Sequence, residues 1–159
     1  KMAKKESMLK YFSISSIVFL IDQITKTIII KNIPDTQFFV VNSFFNLVNF
    51  KNQGAAFSIL SNAGGWQRYF LSMIALIVSI FIVFLIKKHK KEFITALGLS
   101  LILGGAIGNL YDRVFLGYVI DFLYFHIKDY YWPAFNFADT AICIGAGILI
   151  YEQFFKKNE

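Results

Sequence analysis

The stretch YFLSMIALIVSIFIVFLI, Tyr69 to Ile86, decides the fold, because it contains 18 consecutive residues without a charge. An α-helix rises about 1.5 Å per residue, so about 20 apolar residues cross the hydrocarbon core of a bilayer. A second run, Phe93 to Tyr111, holds 19 uncharged residues and follows after a short loop. The two runs predict a pair of antiparallel helices that span a membrane.

Two further segments are apolar enough to span the bilayer, although charged residues interrupt them. The first contains Asp22 and Lys26, and the last contains Asp139. We therefore predict an all-α membrane protein with four transmembrane helices, in a single integral membrane domain that covers residues 1–159. The predicted helices span about residues 10–31, 66–87, 93–112 and 133–152.

The composition agrees with a bilayer protein and argues against other classes. Hydrophobic residues make up 57% of the chain and charged residues 16%, and the mean hydropathy is +0.57. The net charge of +6 accompanies long uncharged runs and 18% aromatic residues, which argues against a basic groove for nucleic acid. A single cysteine, Cys143, excludes an intramolecular disulfide, and His89 and His126 have no partner at metal-ligand spacing. We expect neither a metal ion nor a cofactor.

The lysines predict the orientation in the membrane. Basic residues that flank transmembrane helices favour the cytoplasmic side. Both termini and the loop after the second span are therefore predicted to be cytoplasmic, because these regions hold ten of the sixteen basic residues: Lys1, Lys4, Lys5, Lys10, Lys87, Lys88, Lys90, Lys91, Lys156 and Lys157.

The segments on the opposite side, residues 32–65 and 113–132, are predicted to be extracytoplasmic. Residues 32–65 combine aromatic and β-branched residues with Asn and Gly, which is typical of short strands and turns. Residues 114–132 begin with a strand-like pattern and end with aromatic residues suited to the headgroup layer. A small extracytoplasmic β element is therefore expected beside the helices.

The polar residues of the spans gather near the outer interface. Asp22 lies about 18 Å into the first span, and Asp139 lies about 9 Å below the outer end of the fourth. Ionisable residues inside a membrane usually face the bundle interior and mark a functional site. The same layer contains the residues that close and follow the third span: Asn109, Asp112, Arg113 and Asp121.

Several of these residues also have a structural interpretation. Asp22 and Lys26 are an i, i+4 pair that can neutralise each other on one helix face. Asp112 and Arg113 end a helix at the interface, where they can pair or bind headgroups, and the sequence leaves both interpretations open. A GxxxG pattern at Gly104 and Gly108 predicts close helix packing.

Asp121 and Asp139 have no basic residue within four positions of them. Two carboxylates at one depth can share a proton, because like charges a few ångströms apart do not both ionise easily. Such a pair hydrolyses peptides when the ionised carboxylate removes a proton from water and the protonated one donates a hydrogen bond to the scissile carbonyl. The alternative is a small proton-coupled transporter that uses Asp22, Asp121 and Asp139 as a relay.

Five motifs occur in a fixed order along the chain: DQITK, NQGAAFS, GNLYDR, VIDF and FNFAD. Together they resemble the bacterial lipoprotein signal peptidases (signal peptidase II) over about residues 21–151. These are aspartic endopeptidases of the cytoplasmic membrane, which cut the signal peptide from a prolipoprotein just before a cysteine that carries a diacylglyceryl group. The resemblance implies that Asp121 and Asp139 are the catalytic residues.

The resemblance also implies the surroundings of the site. We expect diacylglyceryl-prolipoprotein substrates and membrane lipids as partners, no nucleic acid and a functional monomer. The expected location is the bacterial cytoplasmic (inner) membrane, with the active site at the extracytoplasmic face and a β-structure that cradles the substrate. A third hypothesis, a non-catalytic lipoprotein-binding scaffold, predicts that either aspartate can be lost without effect. The family motifs include Gly108. They also supply the expected substrate-binding residues: Asp22, Lys26, Asn52, Gly54, Ala55, Asn109, Asp112, Arg113 and Asn136.

Overall fold

The computed structural model describes residues 8–35, 37–54 and 64–155, and this part of the chain contains four long helices. They are α1 (Leu9–Asn32), α2 (Trp66–Lys88), α3 (Phe93–Phe115) and α4 (Phe137–Phe155). Each is long and apolar enough to cross a membrane. The prediction of four long apolar helices is therefore confirmed.

The helix boundaries differ from the sequence-based prediction by up to four residues. α4 begins at Phe137 rather than near residue 133, because the preceding residues pair with a strand. Phe135 and Leu123 exchange two backbone hydrogen bonds, of 3.1 and 2.8 Å. α3 continues to Phe115, so its final turns carry Asn109, Asp112 and Arg113.

α3 is the central helix and packs against α1, α2 and α4. Its glycines allow α1 to approach closely. A Cβ atom at Gly104 would lie 2.6 Å from the Ser15 carbonyl oxygen, and one at Gly108 would lie 2.5 Å from Asp22 Oδ2. The close packing predicted from the GxxxG pattern is confirmed, and the partner helix is α1.

At one end of the bundle, the start of α1, the α2–α3 loop and the end of α4 lie together. The Tyr11 hydroxyl of α1 donates a hydrogen bond to the Lys90 carbonyl oxygen over 3.0 Å. Thr95, near the start of α3, donates one to Glu152 near the end of α4. The connections that carry the strands therefore leave from the other end.

The two connecting segments at that other end combine in one antiparallel sheet with the strand order β1-β2-β3-β4. β1 (Phe39–Asn42) and β2 (Phe45–Asn52) come from the first segment, and β3 (Val119–Ile127) and β4 (Tyr130–Tyr131) from the second. A β element was predicted, but it is more extensive than expected, because strands of both segments pair. The fold is accordingly four apolar helices with a four-stranded antiparallel sheet rather than all-α.

β2 contains an irregularity beside the site. Leu47 pairs with Leu123 and Phe50 pairs with Asp121, so three steps along β2 match two along β3. An extra residue of this kind is a β-bulge, which bends the strand and redirects its side chains. The bulge lies directly before the part of β2 that faces Asp121.

The outward surface of the helices is apolar. In α2, Ile77 and Phe81 are each 60% exposed, and Phe84 is 64% exposed. A long helix that is hydrophobic on all sides, with much of that surface unburied by protein, is typical of a membrane span.

Candidate active site

Two carboxylates from different elements line one cavity. Asp121 lies in β3, opposite Phe50 of β2, and Asp139 lies in the first turn of α4. Both line a cavity of about 560 Å³. The structure thus brings together the two aspartates that the sequence singled out, and we refer to them as the dyad.

Asn136 connects the two carboxylates of the dyad. Its Nδ2 donates a hydrogen bond to Asp121 Oδ1 over 2.8 Å, and its backbone N–H donates one to Asp139 Oδ2 over 3.2 Å. Its Oδ1 accepts a hydrogen bond from the Asp139 N–H over 2.9 Å. This reciprocal arrangement is that of a capping box, so one residue both starts α4 and orients the dyad.

Two other asparagines complete the hydrogen bonding of the dyad. Asn52 Nδ2 donates to Asp121 Oδ2 over 2.9 Å, and Asn109 Nδ2 donates to Asp139 Oδ1 over 2.8 Å. Asn136 Nδ2 also donates to Asn109 Oδ1 over 3.2 Å. Every carboxylate oxygen of the dyad therefore accepts a hydrogen bond from an asparagine, which fixes both side chains before a substrate binds.

The environment of Asp121 favours its protonated form. Its pKa is raised to about 7, mainly by burial and further by the negative charge of Asp139. The hydrogen bonds from Asn52 and Asn136 lower the pKa but have a smaller effect. Asp121 can therefore gain or lose a proton near neutral pH, which suits acid–base catalysis.

The cavity has an apolar wall beside the dyad. Trp132 and Phe135 line it before α4 begins, and α4 contributes residues 142–144. A polar pair at the edge of an apolar cavity suits a ligand that combines a peptide group with hydrocarbon. In residues 8–35, 37–54 and 64–155, no group of three or more His, Cys, Asp or Glu side chains is arranged to hold a metal ion.

Comparisons with known proteins agree with this geometry. Residues 14–155 match the family model described as signal peptidase (SPase) II. A lipoprotein signal peptidase of Janthinobacterium sp. (strain Marseille) is 49% identical over 151 residues, which are 95% of this chain and 92% of the relative. The chain belongs to the signal peptidase II family. A lipoprotein signal peptidase of Teredinibacter turnerae is also 49% identical, over 92% of this chain and 88% of the relative.

Two solved structures share this architecture, and both are described as bacterial membrane enzymes. The first has a TM-score of 0.85 at 33% identity and covers 97% of this chain and 93% of the solved one. The second has a TM-score of 0.82 at 33% identity, with 98% and 99% covered. Signal peptidase II is the aspartic peptidase family A8. Membership of this family favours an enzyme over the transporter or the scaffold considered above.

Three residues of the DQITK and GNLYDR stretches form a buried charge cluster: Asp22, Lys26 and Asp112. Lys26 Nζ lies 2.8 Å from Asp22 Oδ2 and 2.8 Å from Asp112 Oδ2. It also donates a hydrogen bond to Asn109 Oδ1 over 3.0 Å. None of these three residues is among the described residues that line the cavity. The charge cluster is connected to the dyad through Asn109, which bonds to both Lys26 and Asp139. The ion pair between Asp22 and Lys26 that the sequence suggested does form.

The buried charge cluster also joins the elements that carry the dyad. Asp22 Oδ1 accepts a hydrogen bond from the Ala138 N–H of α4 over 2.9 Å, and Asp112 Oδ2 accepts one from the Ile120 N–H of β3 over 3.3 Å. Gln23 Nε2 donates to Asp22 over 3.1 Å and to Asp112 over 3.0 Å. Gln23 was not identified from the sequence, although its place within DQITK was an available signal.

Arg113 lines the cavity and connects α3 to the end of β2. It donates hydrogen bonds to the Gly54 carbonyl oxygen over 3.0 Å and to the Asn109 carbonyl oxygen over 3.4 Å. The Gly54 N–H in turn donates to Asn52 Oδ1 over 2.9 Å. Arg113 Nε is buried and has no hydrogen-bond partner among the described residues. Ala55 lies outside the described residues.

Arg68 is a second residue that the sequence did not identify. Its guanidinium donates hydrogen bonds to the carbonyl oxygens of Arg113, over 2.8 Å, and Val114, over 2.6 Å. Terminal carbonyl groups of a helix have no partner within the helix, so Arg68 caps α3. The available signal was a cation in the first turn of α2, where the helix dipole disfavours positive charge.

Proposed function

We propose that the protein is a membrane-embedded aspartic endopeptidase that removes signal peptides from diacylglyceryl-modified prolipoproteins, cutting before the lipidated cysteine. The observation that carries the proposal is the dyad of Asp121 and Asp139, which Asn136 orients at the edge of an apolar cavity. The relatives named above are lipoprotein signal peptidases, which supports the choice of substrate.

In the proposed reaction, the dyad starts with one shared proton. The ionised carboxylate takes a proton from water, whose oxygen attacks the scissile carbonyl carbon, while the protonated carboxyl donates its hydrogen bond to the carbonyl oxygen. The proton taken from water then passes to the leaving nitrogen as the C–N bond breaks, and the dyad again holds one proton. Burial and the negative charge of Asp139 raise the pKa of Asp121 to about 7, so the pair can hold one proton near neutral pH.

The remaining motif residues divide into two proposed roles. Asn52, Asn109 and Arg113 line the cavity, so they are proposed to contact the peptide or lipid carbonyl groups of a bound substrate. Gly54 allows close approach of a substrate backbone next to Arg113, and Ala55 is assigned the same role from its motif alone. A positioning role is proposed for four residues that orient the dyad or its elements: Asp22, Lys26, Asp112 and Asn136.

The proposed setting is the bacterial cytoplasmic (inner) membrane, with both termini in the cytoplasm and the sheet and dyad at the extracytoplasmic face. One observation supports the orientation and another supports the membrane setting. Lys87, Lys88, Lys90 and Lys91 lie at the end of α2 and in the α2–α3 loop, away from the sheet, and basic residues favour the cytoplasmic side. The apolar outer surface of α2 fits contact with membrane lipids.

A monomer is proposed as the functional unit. The dyad, the three asparagines bonded to it and the cavity come from one chain. We further propose that residues 1–159 act as a single integral membrane domain.

The test is a cleavage assay with wild-type protein and the Asp139→Asn variant in lipid vesicles, using a diacylglyceryl-modified prolipoprotein. We expect the wild type to cut before the lipidated cysteine and the variant to lose at least about 10³-fold in turnover. Asp129→Asn, in the exposed β3–β4 turn, is the matched control and should retain wild-type turnover. Solute flux into the same vesicles without cleavage would contradict the proposal and favour the transporter.

A further inference from the structure

A second cavity meets the first one at the dyad. It has a volume of about 550 Å³, and Asp121 and Asn52 line both cavities. The first, which we call the apolar cavity, includes residues 142–144 of α4 in its wall. The second, which we call the polar cavity, is lined also by Asp35, Asn49 and Lys51. Asp121 therefore lies between an apolar and a polar compartment.

Asn49 lines the polar cavity, and its side chain includes a buried hydrogen-bond acceptor. Its Nδ2 donates to the Ile33 carbonyl oxygen over 3.0 Å and to Asp35 Oδ1 over 3.1 Å. Since both partners are acceptors, the amide must present its oxygen on the other side. This Oδ1 is buried and has no partner within the part of the chain that is described. A buried acceptor of this kind is costly unless a ligand or water donates to it.

Lys51 and Asp35 form an ion pair in the wall of the same cavity. The pair is well exposed, with 43% of the Lys51 and 51% of the Asp35 side chain accessible. The hydrogen bond that Lys51 donates to Asp35 raises the pKa of Lys51, so the amine stays charged at neutral pH. Exposed ion pairs are weak, so both groups can turn toward a charged ligand.

A peptide that is cut at the dyad must extend away from it on both sides. The signal sequence and the acyl chains are apolar and match the apolar cavity, whereas the segment after the cysteine leaves the membrane. Lys51 pairs with Ile120, the neighbour of Asp121, so an extended substrate reaches the polar cavity within about three residues.

We propose that the polar cavity binds the peptide segment that follows the lipidated cysteine. In this assignment, the pair of Asp35 and Lys51 selects the charge of the substrate side chains. The assignment rests on the proposed function. It identifies Asp35 and Lys51 as specificity residues, distinct from the asparagines that orient the dyad.

The experiment compares kcat/KM for two lipidated prolipoproteins that carry Lys or Asp at the second position after the cysteine. In Lys51→Glu, the polar cavity loses its cation and gains a carboxylate. The preference for the Lys substrate over the Asp substrate should therefore rise about fivefold to tenfold above that of the wild type. The double variant Asp35→Lys/Lys51→Asp, which restores an ion pair, should return the preference to within about twofold of the wild type.

Two controls locate the effect. Lys128→Glu makes the same charge change in the exposed β3–β4 turn and should leave the preference unchanged. A second substrate pair carries Lys or Asp two residues before the cysteine, and its preference should also be unchanged in Lys51→Glu.

Three outcomes would overturn the assignment. If Lys51→Glu keeps the wild-type preference between the Lys and Asp substrates, the polar cavity does not contact the substrate charge. If Lys51→Glu changes the preference only for the substrate pair with Lys or Asp before the cysteine, the polar cavity binds the signal-peptide side of the substrate instead. No cleavage of any substrate by the wild type would overturn the proposed function and, with it, the assignment.

Discussion

The Asn136 side chain donates a hydrogen bond to Asp121 over 2.8 Å, while its backbone N–H binds Asp139. Asn136 also caps α4 through the Asp139 N–H. The start of the helix and the orientation of the dyad therefore depend on the same side chain, so helix capping and the geometry of the dyad are coupled in this fold.

Asn136→Ala should lower kcat by about 10- to 100-fold, because Asp121 loses one of the two asparagine hydrogen bonds that orient it. The lost cap should also reduce stability by about 1 kcal/mol. Steady-state cleavage measures the effect on kcat, and thermal unfolding measures the effect on stability, both in one detergent. Asn32→Ala serves as the control. Among the described residues, the Asn32 amide donates a hydrogen bond only to the Ile28 carbonyl oxygen of the same helix. A kcat within twofold of the wild type in Asn136→Ala would contradict the orienting role.

Turnover should fall as the pH rises through about 7. The raised pKa of Asp121 keeps this carboxyl protonated below that pH, and above it the dyad loses its shared proton. Because the folded-state pKa is above the ordinary value of 3.8, the ionised form is the one that the protein disfavours. Single-turnover cleavage between pH 5 and 9 tests the prediction. A rate that stays constant from pH 6 to pH 9 would contradict it.

Lys26→Met should be strongly destabilising. Lys26 lies between the carboxylates of Asp22 and Asp112, so its removal leaves two buried negative charges without a cation. The expected loss is about 3–5 kcal/mol, measured as a lower unfolding midpoint. Lys31→Met, at the exposed end of the same helix, should leave the midpoint nearly unchanged. Equal midpoints for the two variants would show that the buried charge cluster contributes little.

Gly108→Ala should disturb the contact between α3 and α1. The new methyl group would lie 2.5 Å from Asp22 Oδ2, so the buried charge cluster has to shift, at a cost of about 1–3 kcal/mol. Gly147→Ala in α4 is the matched control, because no atom lies within 4 Å of its added Cβ. Thermal unfolding of both variants distinguishes a local clash from a general effect of removing glycine.

The sequence predicted the helices and the dyad for clear physical reasons. An uncharged run as long as Tyr69–Ile86 has few alternatives to a membrane helix. An aspartate without a nearby cation, such as Asp139, is costly in hydrocarbon, which is why the sequence predicted a functional role for it. The start of α4 was placed too early, because hydropathy does not register that Phe135 pairs with β3.

Contacts between distant residues could not be predicted from one sequence. The pair of Asp22 and Lys26 follows from helical spacing, but the approach of Asp112 depends on how α3 packs against α1. The pairing of β2 with β3 and the bulge between Leu47 and Phe50 depend on tertiary register. For the same reason, nothing in the sequence placed the polar cavity beside the dyad.

The central claim is that Asp121 and Asp139 act as one unit, and a double-mutant cycle tests it most directly. Single-turnover cleavage of a lipidated prolipoprotein is measured for Asp121→Asn, Asp139→Asn and the double variant. We predict that each single change lowers the rate at least about 10³-fold and that the double variant is no slower than the slower single variant. Turnover within tenfold of the wild type in either single variant, or losses that multiply in the double variant, would contradict the claim.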